Sequence, residues 1–297
     1  CYYHYHYIEM MLNKLLTHDD IEKLINTALN EDIQRGDITT LNIISKGQSS
    51  VAEIIAKDSL ILSGLEVFKA LFLKLDSETI FLSEPFHDGD SVGEGSVIIK
   101  FRSECTKLLE GERSGLNILQ WLSGIATLTQ QFVAKANPVT VLDTRKTTPG
   151  LRVFEKYAVC CGGGSNHRFG LYDAVMIKDN HIKASGGISP AVERIRKALG
   201  NKNKIEVETK NLSEVQEALD QKVDIIMLDN MSIDDIYKSV KLIDGKAKIE
   251  ISGGINLKSL DEISKTGADF VSIGALTHSA PAVDISMNII SPLDKER

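Results

Sequence analysis

Ile225-Ile226-Met227-Leu228-Asp229-Asn230 carries four apolar residues that stop abruptly on an acid and an amide, and the fold turns on how that run is read. A run this short and this continuously apolar suits a strand buried on both faces, as in parallel sheets covered by helices. Other runs of the kind lie after Pro138, at Val139–Asp143, Ala174–Ile177, Ile205–Val207, Ile249–Ile251 and Phe270–Ile273. The intervals of about 20 to 35 residues between them match βα units with right-handed crossovers. Spacing alone fits a barrel and a doubly wound open sheet equally well.

The residues at the strand ends separate the two. The runs end on Thr144-Arg145-Lys146, Lys178-Asp179-Asn180-His181, Glu208, Asp229-Asn230, Ser252-Gly253-Gly254 and Gly274-Ala275. In a barrel the carboxyl ends of all strands meet at one rim, so groups far apart in sequence share a site, whereas an open sheet would scatter them. An α/β barrel with a functional rim is therefore expected. Polar residues also come after strands simply because chains must turn, but six titratable or glycine-rich ends in succession exceed that explanation.

The last two strand ends are small and expose backbone N–H groups, and barrels commonly hold phosphate there. Ser252, Gly253, Gly254, Gly274 and Ala275 are the candidates. Gly162-Gly163-Gly164 has neither the spacing nor the leading strand of a dinucleotide fingerprint, and reads as a loop presenting His167 and Arg168. Arg113, Arg145, Lys146, His167, Arg168 and Lys178 are candidate anion ligands. Guanidinium groups suit bidentate carboxylate or phosphate recognition, and Lys supplies a point charge. Glu208 and Asp229 offer oxygen ligands to a divalent cation or acceptors to sugar hydroxyls.

Upstream, Ile21, Leu24, Ile25, Ala28 and Leu29 recur at helical spacing behind an Asp N-cap, and Gly36 suits the helix end. Val51–Ala56, Thr79–Leu82 and Ser96–Phe101 read as strands of a small α+β domain. Leu108–Ala136 reads as one or two helices, with a break expected at Ser123-Gly124. The domain reading is 11–115 joined by the tail 281–297, then 116–280. Cys1–Tyr7, within 1–10, looks like a cloning remnant, and a metal role for His4 and His6 is the lesser reading.

Bulk properties exclude several classes. The 42% hydrophobic and 25% charged residues among 297 describe a globular chain with a packed core. A formal charge of −7 argues against a nucleic-acid binder, so anions must be met by local cations. No apolar run reaches the roughly 20 residues of a membrane span, and the protein is read as cytoplasmic. Four cysteines, two of them adjacent as Cys160-Cys161, show neither zinc spacing nor a disulfide framework.

The ordered motifs carry a resemblance. They are Glu31-Asp32 with Gly36-Asp37-Ile38-Thr39, Glu112-Arg113 with Leu116-Asn117, Ser123-Gly124-Ile125-Ala126-Thr127, and Asp143-Thr144-Arg145-Lys146-Thr147 with Pro149-Gly150-Leu151-Arg152. They continue through Glu155-Lys156-Tyr157-Ala158-Val159, Asn166-His167-Arg168, Ile177-Lys178-Asp179-Asn180-His181, Glu206-Val207-Glu208, Leu228-Asp229-Asn230, Ser252-Gly253-Gly254-Ile255 and Gly274-Ala275-Leu276-Thr277-His278-Ser279. In these the chain resembles the quinolinate phosphoribosyltransferases over nearly its whole length. Gln34, where the family commonly has glycine, is a minor departure.

The resemblance implies a fold and a reaction. The fold is an incomplete α/β barrel of six to seven strands with an N-terminal α+β sandwich domain, paired as a homodimer that completes each site across its interface. The reaction joins quinolinate to 5-phosphoribosyl-1-pyrophosphate, with Mg2+, to give nicotinate mononucleotide, pyrophosphate and carbon dioxide in NAD synthesis. By motif position, Thr144, Arg145, Lys146, His167, Arg168 and the partner's Arg113 would take the dicarboxylate. Lys178, Glu208 and Asp229 would face the ribose, the pyrophosphate and the metal, directly or through water, and Ser252–Gly254 with Ile273–Ala275 would hold the 5-phosphate. Lys146, Lys178, Glu208 and Asp229 are the expected catalytic set. Two alternatives stay open: a fold paralogue acting on another phosphorylated ligand, and a Schiff-base lyase with Lys178 as nucleophile.

Overall fold

The computed structural model describes residues 15–293, so the expectations for Cys1–Tyr7, His4 and His6 lie outside the described residues. The chain forms two compact units. One comprises residues up to Gln130, Pro149–Gly163 and Ser279 onward; the other comprises Gln131–Thr148 and Gly164–His278. Besides the tail, the first unit runs past residue 115 to Gln130 and takes in the helix Arg152–Cys161.

The first unit holds a four-stranded antiparallel sheet. Its members are β1 (Ser49–Ala56), β3 (Ile80–Ser83), β5 (Val97–Glu104) and β12 (Ile285–Leu293), in the order β12-β1-β5-β3, beside a two-stranded ribbon of β2 (Leu60–Ile61) and β4 (Ser91–Val92). β1 buries Ala52, Ile54 and Ala56 fully and leaves Glu53 and Ile55 between them half-buried, and the helix Leu65–Leu75 covers the sheet. Phe72 and Phe101 meet at 4.7 Å between ring centroids, and Phe68 and Phe101 at 5.7 Å. The N-terminal helix spans His18–Asp32, and its cap is Thr17 rather than an Asp: Thr17 Oγ1 accepts the Asp20 N–H, and the Asp20 carboxylate accepts the Thr17 N–H in return.

The break expected at Ser123-Gly124 does not occur. Cys105–Ala136 is one continuous helix. Ser123 instead exchanges hydrogen bonds with the Ser63 backbone, and a Cβ on Gly124 would stand 2.1 Å from the Pro281 carbonyl oxygen. Glycine is needed there for close approach of the tail, not for a turn.

The second unit is a parallel sheet of six strands: β6 (Thr140–Leu142), β7 (Val175–Ile177), β8 (Ile205–Thr209), β9 (Ile225–Asp229), β10 (Lys248–Ser252) and β11 (Phe270–Ser272). Their order is β6-β11-β10-β9-β8-β7. From β7 to β11 each strand lies beside its successor with no reversal, so every right-handed crossover falls on the same face and the sheet curls into a barrel. A doubly wound sheet needs a reversal. Ser165 makes a parallel bridge to Leu142 at the outer edge of β6, the only trace of a seventh strand among the described residues. The barrel is thus incomplete.

The strands are less uniformly apolar than they read. Val207, Ile226, Leu228, Ile249, Ile251 and Val271 are buried, while the alternate positions Glu208, Met227, Asp229, Glu250, Ser252 and Ser272 line the cavity. Both faces are still covered, so carboxylates in the interior require partners.

Candidate active site

A cavity of about 780 Å³ opens at the carboxyl ends of these strands. Thr144, Arg145, Lys146, His167, Arg168, Lys178, Glu208, Asp229, Ser252, Gly253, Gly254, Ile273, Gly274 and Ala275 all line it. Arg113 is not among them. It lies on the long helix of the first unit, in a hollow of about 340 Å³ with Glu31, Asp32, Asn117 and Trp121.

Each element aims its groups by local bonds. Asp143, fully buried at the end of β6, accepts the His167 N–H at 2.9 Å and the Asn166 side-chain amide at 2.6 Å, which pins the loop carrying Arg168. Asp173 accepts the Phe169 and Gly170 N–H groups, and Arg168 donates through Nη1 to the Ala174 carbonyl at 3.1 Å. Burial first, and then the charge of Arg145, hold the Arg168 pKa below its ordinary value. Two guanidiniums held near each other are relieved by a ligand that brings two negative charges.

Lys178 donates from Nζ to Glu208 Oε2 at 2.8 Å across the ends of β7 and β8. The Lys146 carbonyl accepts the Thr277 hydroxyl at 2.8 Å, and a Cβ on Gly274 would press to 2.8 Å on the Lys146 side chain. Gly253 and Gly254 have φ of +93° and +63°, the left-handed region that glycine takes without strain. The N–H of Ile273 is spent on the Leu142 carbonyl at 2.9 Å, so Ile273 offers the cavity no backbone donor.

Sequence reading missed the buried carboxylates. His167 Nε2 lies 3.2 Å from Glu206 and 3.5 Å from Glu250. Burial disfavours a charged ring, yet the two carboxylates outweigh it and push the His167 pKa up to about 9. Burial also raises Glu206, despite the His167 hydrogen bond. The Arg168 N–H is donated to His167 Nδ1 at 2.8 Å, which leaves Nε2 as the ring nitrogen that faces the two carboxylates. Met176, Met227, Asn230, Ile255 and His278 also line the cavity and were not read from sequence.

Fold and site together define an α/β-barrel enzyme that grips a phosphorylated, multiply anionic ligand at its strand ends. Residues 37–123 match the family described as quinolinate phosphoribosyl transferase, N-terminal domain, and residues 125–288 match its C-terminal domain. The chain belongs to the quinolinate phosphoribosyltransferase family. It is 44% identical over 276 residues to a probable nicotinate-nucleotide pyrophosphorylase (carboxylating) of Bacillus subtilis, covering 92% of this chain and 95% of that one. A quinolinate phosphoribosyltransferase (decarboxylating) of Nicotiana tabacum is 39% identical, over 93% of this chain and 84% of its own. The crystal structure of NadC from Streptococcus pyogenes superposes with a TM-score of 0.90 at 41% identity, over 94% of this chain and 99% of that one.

Proposed function

We propose that this protein transfers the phosphoribosyl group of 5-phosphoribosyl-1-pyrophosphate to quinolinate and decarboxylates the product, giving nicotinate mononucleotide, pyrophosphate and carbon dioxide in cytoplasmic NAD synthesis. The observation that carries this reading is the one cavity in which Arg145, Lys146, Arg168 and Lys178 stand with Glu208, Asp229 and the paired glycines Gly253 and Gly254. The substrates bring two carboxylates, a phosphate and a pyrophosphate, and the cations offset their mutual repulsion.

Arg145, Arg168 and Lys146 bind the dicarboxylate, with Thr144 beside them. Gly253, Gly254, Gly274 and Ala275 take the 5-phosphate, and Ser252 and Ile273 shape that end. Lys178 neutralises the departing pyrophosphate. As the C1–O bond to pyrophosphate breaks, positive charge grows on the ribose ring, and Glu208 and Asp229 stabilise it. The pyridine nitrogen bonds to C1 and becomes cationic. That charge stabilises the electron pair left at C2 when the 2-carboxylate departs as carbon dioxide, and C2 then takes a proton. No side chain acts as nucleophile; the protein positions and screens charge.

Glu208 and Asp229 form a hard oxygen donor set that suits Mg2+ held jointly with a pyrophosphate. When bound, the ion would supply positive charge to the leaving group. Arg113, on the first unit, completes the dicarboxylate pocket of a second copy in a homodimer. Incubating the protein with Mg2+, 5-phosphoribosyl-1-pyrophosphate and quinolinate should yield nicotinate mononucleotide by absorbance, with nicotinate giving none; product from nicotinate alone rejects the reading.

A further inference from the structure

Glu206 and Glu250 are buried carboxylates of the barrel, at 6% and 1% exposure. They come from β8 and β10, which flank β9, and converge on one imidazole from inside the barrel. Buried carboxylates cost several kcal/mol of desolvation, and an apolar pair would fill such space without that cost. What they secure is the ring of His167. Its Nε2–H points at both carboxylates, its Nδ1 accepts the Arg168 N–H, and its own N–H is held by Asp143. Both ring nitrogens face protein groups, so the imidazole is an anchor between the barrel interior and the Arg168 backbone.

We propose that Glu206 and Glu250 are positioning residues that act through His167 to fix Arg168 for recognition of the dicarboxylate. The inference rests on the function proposed above. The same three side chains place an imidazole nitrogen and two carboxylate oxygens within 4.8 Å of one another, as a divalent cation would ask. The Arg168 N–H on Nδ1 opposes that use, because it leaves the ring proton on Nε2, the atom the cation would need.

The test combines kinetics with imidazole nitrogen NMR on the full chain. Glu250→Leu removes an acceptor and should raise the quinolinate KM at least about 10-fold while the KM for 5-phosphoribosyl-1-pyrophosphate stays within about twofold, the scale of one charge-assisted hydrogen bond. Glu250→Gln and Glu206→Gln keep an acceptor and should restore most of the quinolinate affinity. Glu206→Leu makes the same measurement if Glu250→Leu does not fold. Equal losses for both substrates, or an unchanged quinolinate KM in the Leu variants, would overturn the proposal. The His167 ring should keep its Nε2 proton at neutral pH when Zn2+ is added. Zn2+ displacing the Nε2 proton would also overturn it. Because the NMR needs no turnover, a wild-type chain inactive on quinolinate would reject the proposed function and still leave the anchor decided.

Discussion

Lys178 Nζ and Glu208 Oε2 meet at 2.8 Å across neighbouring strand ends, with the carboxylate 9% exposed and the lysine 42% exposed. The buried partner is the one that suffers when the pair is broken. Lys178→Ala should cost about 1 kcal/mol of stability, since the half-solvated lysine is already screened. Its effect on turnover should be larger, a fall of about 100-fold in kcat/KM for 5-phosphoribosyl-1-pyrophosphate, because the proposed reaction sets Lys178 against the leaving group. Steady-state kinetics with a parallel thermal melt checks both. Lys178→Arg should recover stability more fully than activity.

Arg113 and Arg145 lie in different compact units. If one copy lends Arg113 to the other, Arg113→Ala and Arg145→Ala are each nearly inactive alone. Random pairing of the two should return about a quarter of wild-type activity, since half the dimers are mixed and each mixed dimer rebuilds one of its two sites. Activity assayed after subunit exchange, with mixed dimers verified by mass, reads this directly. No recovery in mixed dimers contradicts a trans role.

Asp88 is buried and accepts from the N–H groups of Gly64 and Leu65 and from the Tyr157 hydroxyl, each at 2.9 Å. It therefore caps the helix Leu65–Leu75, whose N-cap, Gly64, has no side chain. Asp88→Ala leaves three buried donors without an acceptor and should lower stability by about 3–5 kcal/mol in denaturant melts. Tyr157→Phe removes one donor only and should cost about 1–2 kcal/mol.

The His167 cluster sets a pH dependence. The pKa of His167 is raised to about 9, so the folded form binds a proton that the unfolded chain releases near the ordinary histidine value of 6.5. That contribution is complete below pH 6.5 and is lost as pH rises through about 9. Glu206 shifts in the same direction and adds to the trend. Melting temperature should fall between those limits, and His167→Asn should flatten the fall. A wild-type profile level across that range contradicts the cluster's extra proton.

The fold was legible because its signals were local. An apolar run that stops on Asp229 or Lys178 announces both a strand and its functional end. Signals that depend on distant partners were not legible. Gly124 looked like a helix break because glycine usually is one, whereas its reason is the Pro281 carbonyl more than 150 residues away. β12 pairs with β1 from the opposite end of the chain, so its run reads as nothing in isolation. Glu206 and Glu250 did carry a signal, a carboxylate at an alternate place in Ile205-Glu206-Val207-Glu208 and Ile249-Glu250-Ile251. Reading those runs as continuously apolar erased the alternation that marks the barrel's polar interior.

Carbon dioxide release tests the central claim most directly. With quinolinate carrying carbon-14 in its 2-carboxylate, the protein should release one labelled carbon dioxide for each pyrophosphate and each nicotinate mononucleotide formed. Pyrophosphate released without labelled carbon dioxide, or label retained in the nucleotide, would contradict the account.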